Sequence, residues 1–329
     1  MKLKLLLAAS LPFVACAGDL FVIRVVDQAT DRGVPMVELS TVHGVTYITD
    51  NAGVVAFDEP GLMNIPVFFK VKSHGYEHPK DGLGFQGKRL TTRPGTMDEI
   101  RIKRINLAER LCRLTGGGLY HHSVRAGLPV PIKQPLLNAK VLGSDSVHTA
   151  IFHDKLYWLW GDTHRPRYPL GNFDVTMATS PLLRKGGLRF VSGVNFTYFT
   201  DKDGFARKMA PMEGKGPTWL GAMLTLKDKT GKARLVATYV KVRQPMEVYE
   251  AGLCEFNLEK EIFENRFTFP HSKSLRPNGH PLRRRVDGRN WVYCGSTLPD
   301  MRFPDNYESW LDTSTYQAVN VDANFTDAE

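Results

Sequence analysis

The chain has 329 residues, four cysteines and a formal net charge of +9, from 43 Lys and Arg against 34 Asp and Glu. A content of 42% hydrophobic and 23% charged residues excludes a disordered or fibrous protein and leaves room for two domains with buried cores. The positive surplus favours polyanions such as sulfated or uronic-acid polysaccharides, nucleic acid or an anionic cell surface. Dispersed basic residues without a zinc finger or recognition-helix pattern lead us to expect no nucleic-acid partner. The densest basic run, Arg283-Arg284-Arg285, reads as a solvated loop.

At the N-terminus, Lys2 and Lys4 precede an apolar stretch from Leu5 to Val14, and Ala15-Cys16-Ala17 supplies small residues for cleavage. This pattern predicts a signal peptide over residues 1–17 and a secreted or periplasmic destination. Cleavage before Cys16 with lipid attachment is the alternative, and Phe13 departs from the usual lipoprotein box. No later stretch is apolar for the roughly 20 residues a membrane helix needs, so no transmembrane segment is expected. With Cys16 removed, Cys112, Cys254 and Cys294 remain. They allow one intrachain disulfide at most, Cys254–Cys294 within one expected domain, or free buried thiols. Their spacings match no zinc site.

Residues 18–105 alternate strand-like runs with Gly, Pro, Asn and Asp: Leu20–Val26, Val37–Thr41, Thr46–Thr49, Gly53–Phe57, Ile65–Lys72 and Glu99–Ile105. No amphipathic helix intervenes, so the expectation is a small antiparallel sandwich. Asp50-Asn51-Ala52-Gly53 reads as a tight hairpin turn in which Gly53 takes positive φ. His43, His74 and His78 are scattered over different elements and read as ordinary histidines. The run from Thr30 through Gly33 and Pro35, the Thr49-Asp50…Gly53 hairpin and the late Gly75-Tyr76 together resemble the carboxypeptidase regulatory-like, transthyretin-like β-sandwich domain. That resemblance implies a non-catalytic spacer or binding module.

Residues 106–142 read as a linker. A short helical turn is expected at Leu107–Cys112, ended by Gly116-Gly117-Gly118, and Pro129, Pro131 and Pro135 punctuate an extended segment. The Gly triplet has no preceding strand and no following Lys-Ser/Thr, so it is not a phosphate loop.

From Gly143 to the end, short aromatic-rich strands return: Leu156–Trp160, Thr176–Thr179, Ala222–Leu226, Arg234–Val240, Gly252–Phe256 and Asn290–Cys294. Hairpin turns are expected at His153-Asp154, Lys227–Gly231 and Asp287-Gly288. Without crossover helices such a series makes a sandwich or a propeller. Its most informative stretch runs from Gly143-Ser144-Asp145-Ser146 to Tyr157-Trp158-Leu159-Trp160-Gly161-Asp162-Thr163. Asp145 and Asp162 bracket one hairpin, and similar hairpins at residues 220–240 and 278–296 favour propeller blades.

This stretch, with weaker echoes at Gly216-Pro217-Thr218-Trp219, Glu250-Ala251-Gly252-Leu253 and Gly279-His280-Pro281, resembles the five-bladed β-propeller glycoside hydrolases around family 43. The resemblance implies an exported carbohydrate-active protein acting on a polysaccharide or cell-surface glycan. Asp145 stands where the general base would be, Asp162 is a second carboxylate, and Glu250 or Glu213 stands for the general acid. Trp158, Trp160 and Trp219 would offer stacking surfaces for sugar rings. His280 would face the centre, where a structural cation or water could sit, and no other cofactor is implied. An inverting pair of carboxyl groups lies roughly 6.5–9.5 Å apart, with the acid's pKa raised by its surroundings. Two departures are visible. Ser146-Val147 follows Asp145 where those hydrolases commonly have Asp-Pro, and about 185 residues would supply three to four blades, so the propeller is expected to be incomplete. No Gly-x-Ser-x-Gly elbow is present, which excludes that serine-hydrolase route. The alternative is a non-catalytic glycan-binding or adhesion protein.

Overall fold

Residue pattern and strand geometry agree in the computed structural model, which describes residues 18–319 except Lys273, with residues 169–171 described as backbone only. The expected signal peptide, residues 1–17, and Cys16 within it lie outside the described residues. The chain is all-β, built of antiparallel sheets of which none closes into a barrel. Among the described residues no helix is long and apolar enough to cross a membrane. The chain divides into two compact units: residues up to Arg113 with Gly118–Leu136 and Phe190–Gly193, and Leu114–Gly117 with Leu137–Arg189 and the residues from Val194 onward.

The first unit contains β1 (Phe21–Asp27), β2 (Glu38–Ser40), β3 (Thr46–Ile48), β4 (Val54–Phe57), β5 (Pro66–Lys72), β6 (Tyr76–Glu77), β7 (Gly87–Thr91) and β8 (Met97–Arg104). They form two four-stranded sheets, ordered β4-β1-β8-β6 and β3-β2-β5-β7. Pairing is antiparallel except between β1 and β8. Phe21, Ile23 and Val25 of β1 meet Leu39, Phe69 and Val71 of the other sheet in one core. Each such fully buried side chain contributes roughly 1.5–3 kcal/mol. The other face of β1 is apolar too, because Val22, Val54 and Ala56 are covered by Ala126 and Leu128. Those residues follow the short helix α1 (His121–Arg125). Part of the segment read as a linker is therefore a lid on this sandwich.

The hairpin at Asp50 fixes that lid. Asp50 Oδ1 accepts from the Ala52 and Val54 N–H groups, and Oδ2 accepts from the Ser123 N–H at 2.8 Å. Asn51 exchanges two hydrogen bonds with the Arg113 backbone. Gly53 has φ +74°, and a Cβ there would lie 2.4 Å from the Val25 carbonyl oxygen, so only glycine fits. The helical turn expected at Leu107–Cys112 is not formed. Arg110 is instead held extended by donating to the Pro35 carbonyl at 2.9 Å and the His74 carbonyl at 2.6 Å, and the helix falls later, at α1.

The second unit contains β9 (Gly143–Ser144), β10 (His148–Phe152), β11 (Lys155–Trp160), β12 (Thr163–Arg165), β13 (Tyr168–Asn172), β14 (Thr176–Pro181), β15 (Thr197–Tyr198), β16 (Thr218–Lys227), β17 (Ala233–Arg243), β18 (Glu247–Asn257), β19 (Ile262–Thr268), β20 (Leu282–Val286), β21 (Arg289–Cys294), β22 (Met301–Pro304) and β23 (Gln317–Ala318), with helix α2 (Tyr307–Leu311) before β23. Three four-stranded antiparallel sheets follow in chain order: β10-β11-β14-β15, β16-β17-β18-β19 and β20-β21-β22-β23. A three-stranded sheet, β13-β12-β9, accompanies them. His153 and Asp154 at the β10–β11 turn, and Asp287 and Gly288 at the β20–β21 turn, all have positive φ, the conformation of tight hairpin turns.

The middle sheet buries both faces. Ala237, Tyr239 and Cys254 meet Phe152, Tyr157 and Met177 of the preceding sheet. Val236, Ala251 and Leu253 meet Val292, Cys294 and Phe303 of the following sheet. Cys254 and Cys294 thus belong to separate cores and are both free, buried thiols, and burial pushes each thiol pKa up. A disulfide between them would have to cross the sheet.

Candidate functional site

The hairpin from β9 to β12 ends in a local bulge. Asp145 donates its N–H to the Asp162 carbonyl at 3.1 Å, and its own carbonyl accepts from the Gly161 N–H at 3.0 Å. Gly161 and Asp162 together oppose Asp145, so both carboxylates serve one place in the sheet. A Cβ at Gly161 would lie 2.2 Å from Asp145 Oδ1. The glycine is the space in which the Asp145 carboxylate rests.

Both carboxylates line a cavity of about 780 Å³. Its walls are mainly apolar, with Trp160, Phe173, Val175, Trp219 and Leu220 among them. The loop between β17 and β18, Gln244-Pro245-Met246, forms part of the lining. Trp219 is held by its indole N–H, which donates to the Phe173 carbonyl at 2.8 Å. A large, mostly apolar concavity with a few convergent polar groups has the character of a small-molecule or oligomer subsite.

Asp162 Oδ1 is buried without a hydrogen-bond partner. Burial first, and the neighbouring Asp145 charge second, raise the Asp162 pKa, against a lowering from the nearby Trp219 N–H. Among the described residues the surrounding ion pairs bypass both groups. Asp174 is taken by Lys208 at 2.6 Å and by the Thr218 N–H at 2.9 Å, while Arg243 at the cavity is taken by Glu247 at 2.8 Å.

His148 also lines the cavity. Its Nδ1 is buried and unpartnered, and its ring stacks on His280 with centroids 4.4 Å apart and planes 26° apart. Burial, then the facing His280, push its pKa down to about 4, so the imidazole is neutral near pH 7. His280 itself is exposed and does not line the cavity.

The other sequence candidates fall elsewhere. Glu250 on β18 lies outside the cavity lining and accepts the Tyr239 hydroxyl at 2.9 Å. Glu213 is exposed and also outside it. Trp158 is buried in the core, with its indole N–H donated to Ser180 Oγ at 2.9 Å and its ring edge-on to Phe196. Trp160 packs on Phe196 and Tyr198 while also reaching the cavity wall. Asp145, Asp162, Trp160 and Trp219 thus come together, and Glu250, Trp158 and His280 do not line the same space. His148 and Phe173 belong to it and escaped sequence reasoning. For His148 the available signal is its place at the head of β10, three residues after Asp145. Among the described residues no group of three or more His, Cys, Asp or Glu side chains is arranged to hold a metal ion.

No protein-family model matches the chain. No curated protein matches it either. Among solved structures it is similar to the Bacillus anthracis TIE protein, at 11% sequence identity and a TM-score of 0.21, over 80% of this chain. The match spans 49% of that protein's length.

Proposed function

We propose that the chain is an exported carbohydrate-active protein, a glycoside hydrolase whose substrate occupies the Asp145–Asp162 cavity. The observation that carries this reading is the buried, unpartnered Asp162 oxygen beside a second carboxylate, Asp145, in one aromatic-walled cavity. Asp162, with its raised pKa and unpartnered oxygen, is the proton donor to the glycosidic oxygen. Asp145 is the base that takes a proton from the attacking water, which requires the two carboxyl groups to stand roughly 6.5–9.5 Å apart around the bound substrate. Cleavage then breaks the bond between the anomeric carbon and the leaving oxygen, and the water oxygen takes its place. Trp219 and Phe173 present apolar faces to sugar rings. In this reading the general acid is Asp162, because Glu250 is occupied by Tyr239 outside the cavity.

The architecture fits the same proposal. Four-stranded meanders in chain order, stacked face to face, have the connectivity of propeller blades. The first unit, with its Gly33-x-Pro35 turn and Asp50–Gly53 hairpin, would be a transthyretin-like spacer or binding module. Lys2, Lys4 and the apolar stretch after them support export by a signal peptide, to the periplasm or outside the cell, with a lipid anchor at Cys16 as the variant outcome.

The test is release of reducing sugar from a panel of plant and algal polysaccharides. Wild type releases sugar from at least one, and D145N lowers that release by at least about a hundredfold. Unchanged release by D145N removes it as the base. A second reading, glycan binding without cleavage, is favoured by the exclusion of Glu250 from the cavity. It is upheld if glycan quenches tryptophan fluorescence in wild type but not in W219F, while no polysaccharide is cut.

A further inference from the structure

The basic run Arg283-Arg284-Arg285, read as a solvated loop, is instead strand β20 and is divided by its alternation. Arg283 pairs with Asp305 at 2.8 Å and also donates to the Thr225 carbonyl. Arg284 faces the other way, directly opposite Trp291 of β21. Arg289 lies two residues before Trp291 on the same strand face. Arg302 of β22 stands directly opposite Tyr293. The Arg302 guanidinium is 4.2 Å from the Trp291 ring centroid and that of Arg289 is 5.6 Å from it. Arg302 is oriented by neutral partners, donating to Gln317 Oε1 at 2.9 Å and to the Tyr293 hydroxyl at 3.0 Å. Among the described residues none of the three has a carboxylate partner, whereas Arg283 on the opposite face has one. The Arg289 and Arg302 guanidinium groups therefore lie within about 10 Å of one another, and Arg284 stands on the neighbouring strand opposite the same indole.

We propose that this sheet face binds an anionic polysaccharide, whose sulfate or carboxylate groups are taken by Arg284, Arg289 and Arg302. Like charges crowded on one face repel, and a bound polyanion relieves that repulsion. Arg302 gives Nε and one Nη to Gln317 and Tyr293, which leaves its other Nη to meet an oxyanion, and the planar fork is the geometry at which arginine exceeds lysine. Single-stranded nucleic acid would need an open aromatic platform for its bases. Trp291 is only 6% exposed, with arginine over its ring, and the Tyr293 hydroxyl is already engaged. The surface reads charge and offers no stacking face. The polymer class rests on the carbohydrate reading above, but no residue of this face lines the Asp145–Asp162 cavity, so the two can fail separately.

The test titrates fluorescein-labelled dextran sulfate into the full chain at about 0.15 M salt, with neutral dextran, single-stranded DNA and anionic phosphatidylserine vesicles as comparators. R284E/R289E weakens dextran sulfate binding at least about tenfold, while R184E/K185E, with the same change of net charge, weakens it less than about twofold. Near-ultraviolet circular dichroism confirms that both variants fold. R302K retains the charge but loses the planar fork, and weakens binding to an intermediate degree. The proposal is overturned if R184E/K185E weakens binding as much as R284E/R289E, or if neutral dextran binds as tightly as dextran sulfate. Tighter binding of DNA or of vesicles overturns it in favour of a nucleic-acid or membrane surface. If wild type releases no sugar from any polysaccharide while dextran sulfate binding is intact, the hydrolase reading of the cavity fails alone.

Discussion

Two aspartates at hairpin turns, Asp50 in the first unit and Asp162 in the second, have the same local chemistry and opposite fates. Asp50 spends both oxygens on three backbone N–H groups and ties its turn to the segment that covers the sandwich. Asp162 leaves one buried oxygen without a partner, beside a second carboxylate and against a cavity. Asp27 in the first unit also leaves one buried oxygen unpartnered, so what sets Asp162 apart is the combination of that oxygen with a neighbouring carboxylate and a cavity wall.

Alanine in place of each aspartate breaks the comparison most directly. D50A strips acceptors from three N–H groups and lowers the stability of the first unit by roughly 3 kcal/mol, seen as an earlier transition in urea. D162A removes an unsatisfied oxygen and costs less than about 1 kcal/mol. Equal losses would erase the distinction. G161A sharpens it next, because a Cβ at that position meets the Asp145 carboxylate at 2.2 Å. We expect at least about tenfold loss of sugar release from misplacement of that group, with the fold retained by circular dichroism.

The smallest effect is a pH slope. His148 is held neutral, its pKa lowered from 6.5 to about 4, so the unfolded chain binds a proton in that window and the folded chain does not. Stability from this group is fully present above 6.5 and is lost as pH falls toward 4. Asp162, with its raised pKa, acts with the opposite sign: its contribution is present in acid and is lost as pH rises through its folded pKa. Stability measured by urea titration against pH should show a shallower fall between 6.5 and 4 in H148Q than in wild type. Parallel curves would contradict a buried neutral imidazole.

The strands with strong aromatic or β-branched alternation, such as β11 and β17, were legible in the sequence, and so were the hairpin turns with Asp-Gly or Asn-Ala-Gly. Strand β7, Gly-Lys-Arg-Leu-Thr, carries a single apolar residue because it is an edge strand with one buried side chain, Leu90. No period-2 signal survives in it. The covering role of residues 118–136 was hidden because it depends on the outer face of β1, whose continuous burial comes from both sides. At the site, Asp145, Asp162, Trp160 and Trp219 were legible from one motif and one echo of it. His148 was not, since its role comes from stacking on His280, more than a hundred residues along the chain. Glu250 resembled an acid by its neighbours Ala251-Gly252, yet it stands opposite Lys241 and accepts diagonally from the Tyr239 hydroxyl. Arg284 was hidden in a run of three arginines until strand alternation divided them.

The most direct test of the account sets D162N beside E250Q in one assay of sugar release on one polysaccharide. If the unsatisfied carboxylate is the proton donor, D162N falls at least about a hundredfold while E250Q stays within about threefold of wild type. A collapse in E250Q with D162N unaffected would contradict the account and return the acid role to Glu250.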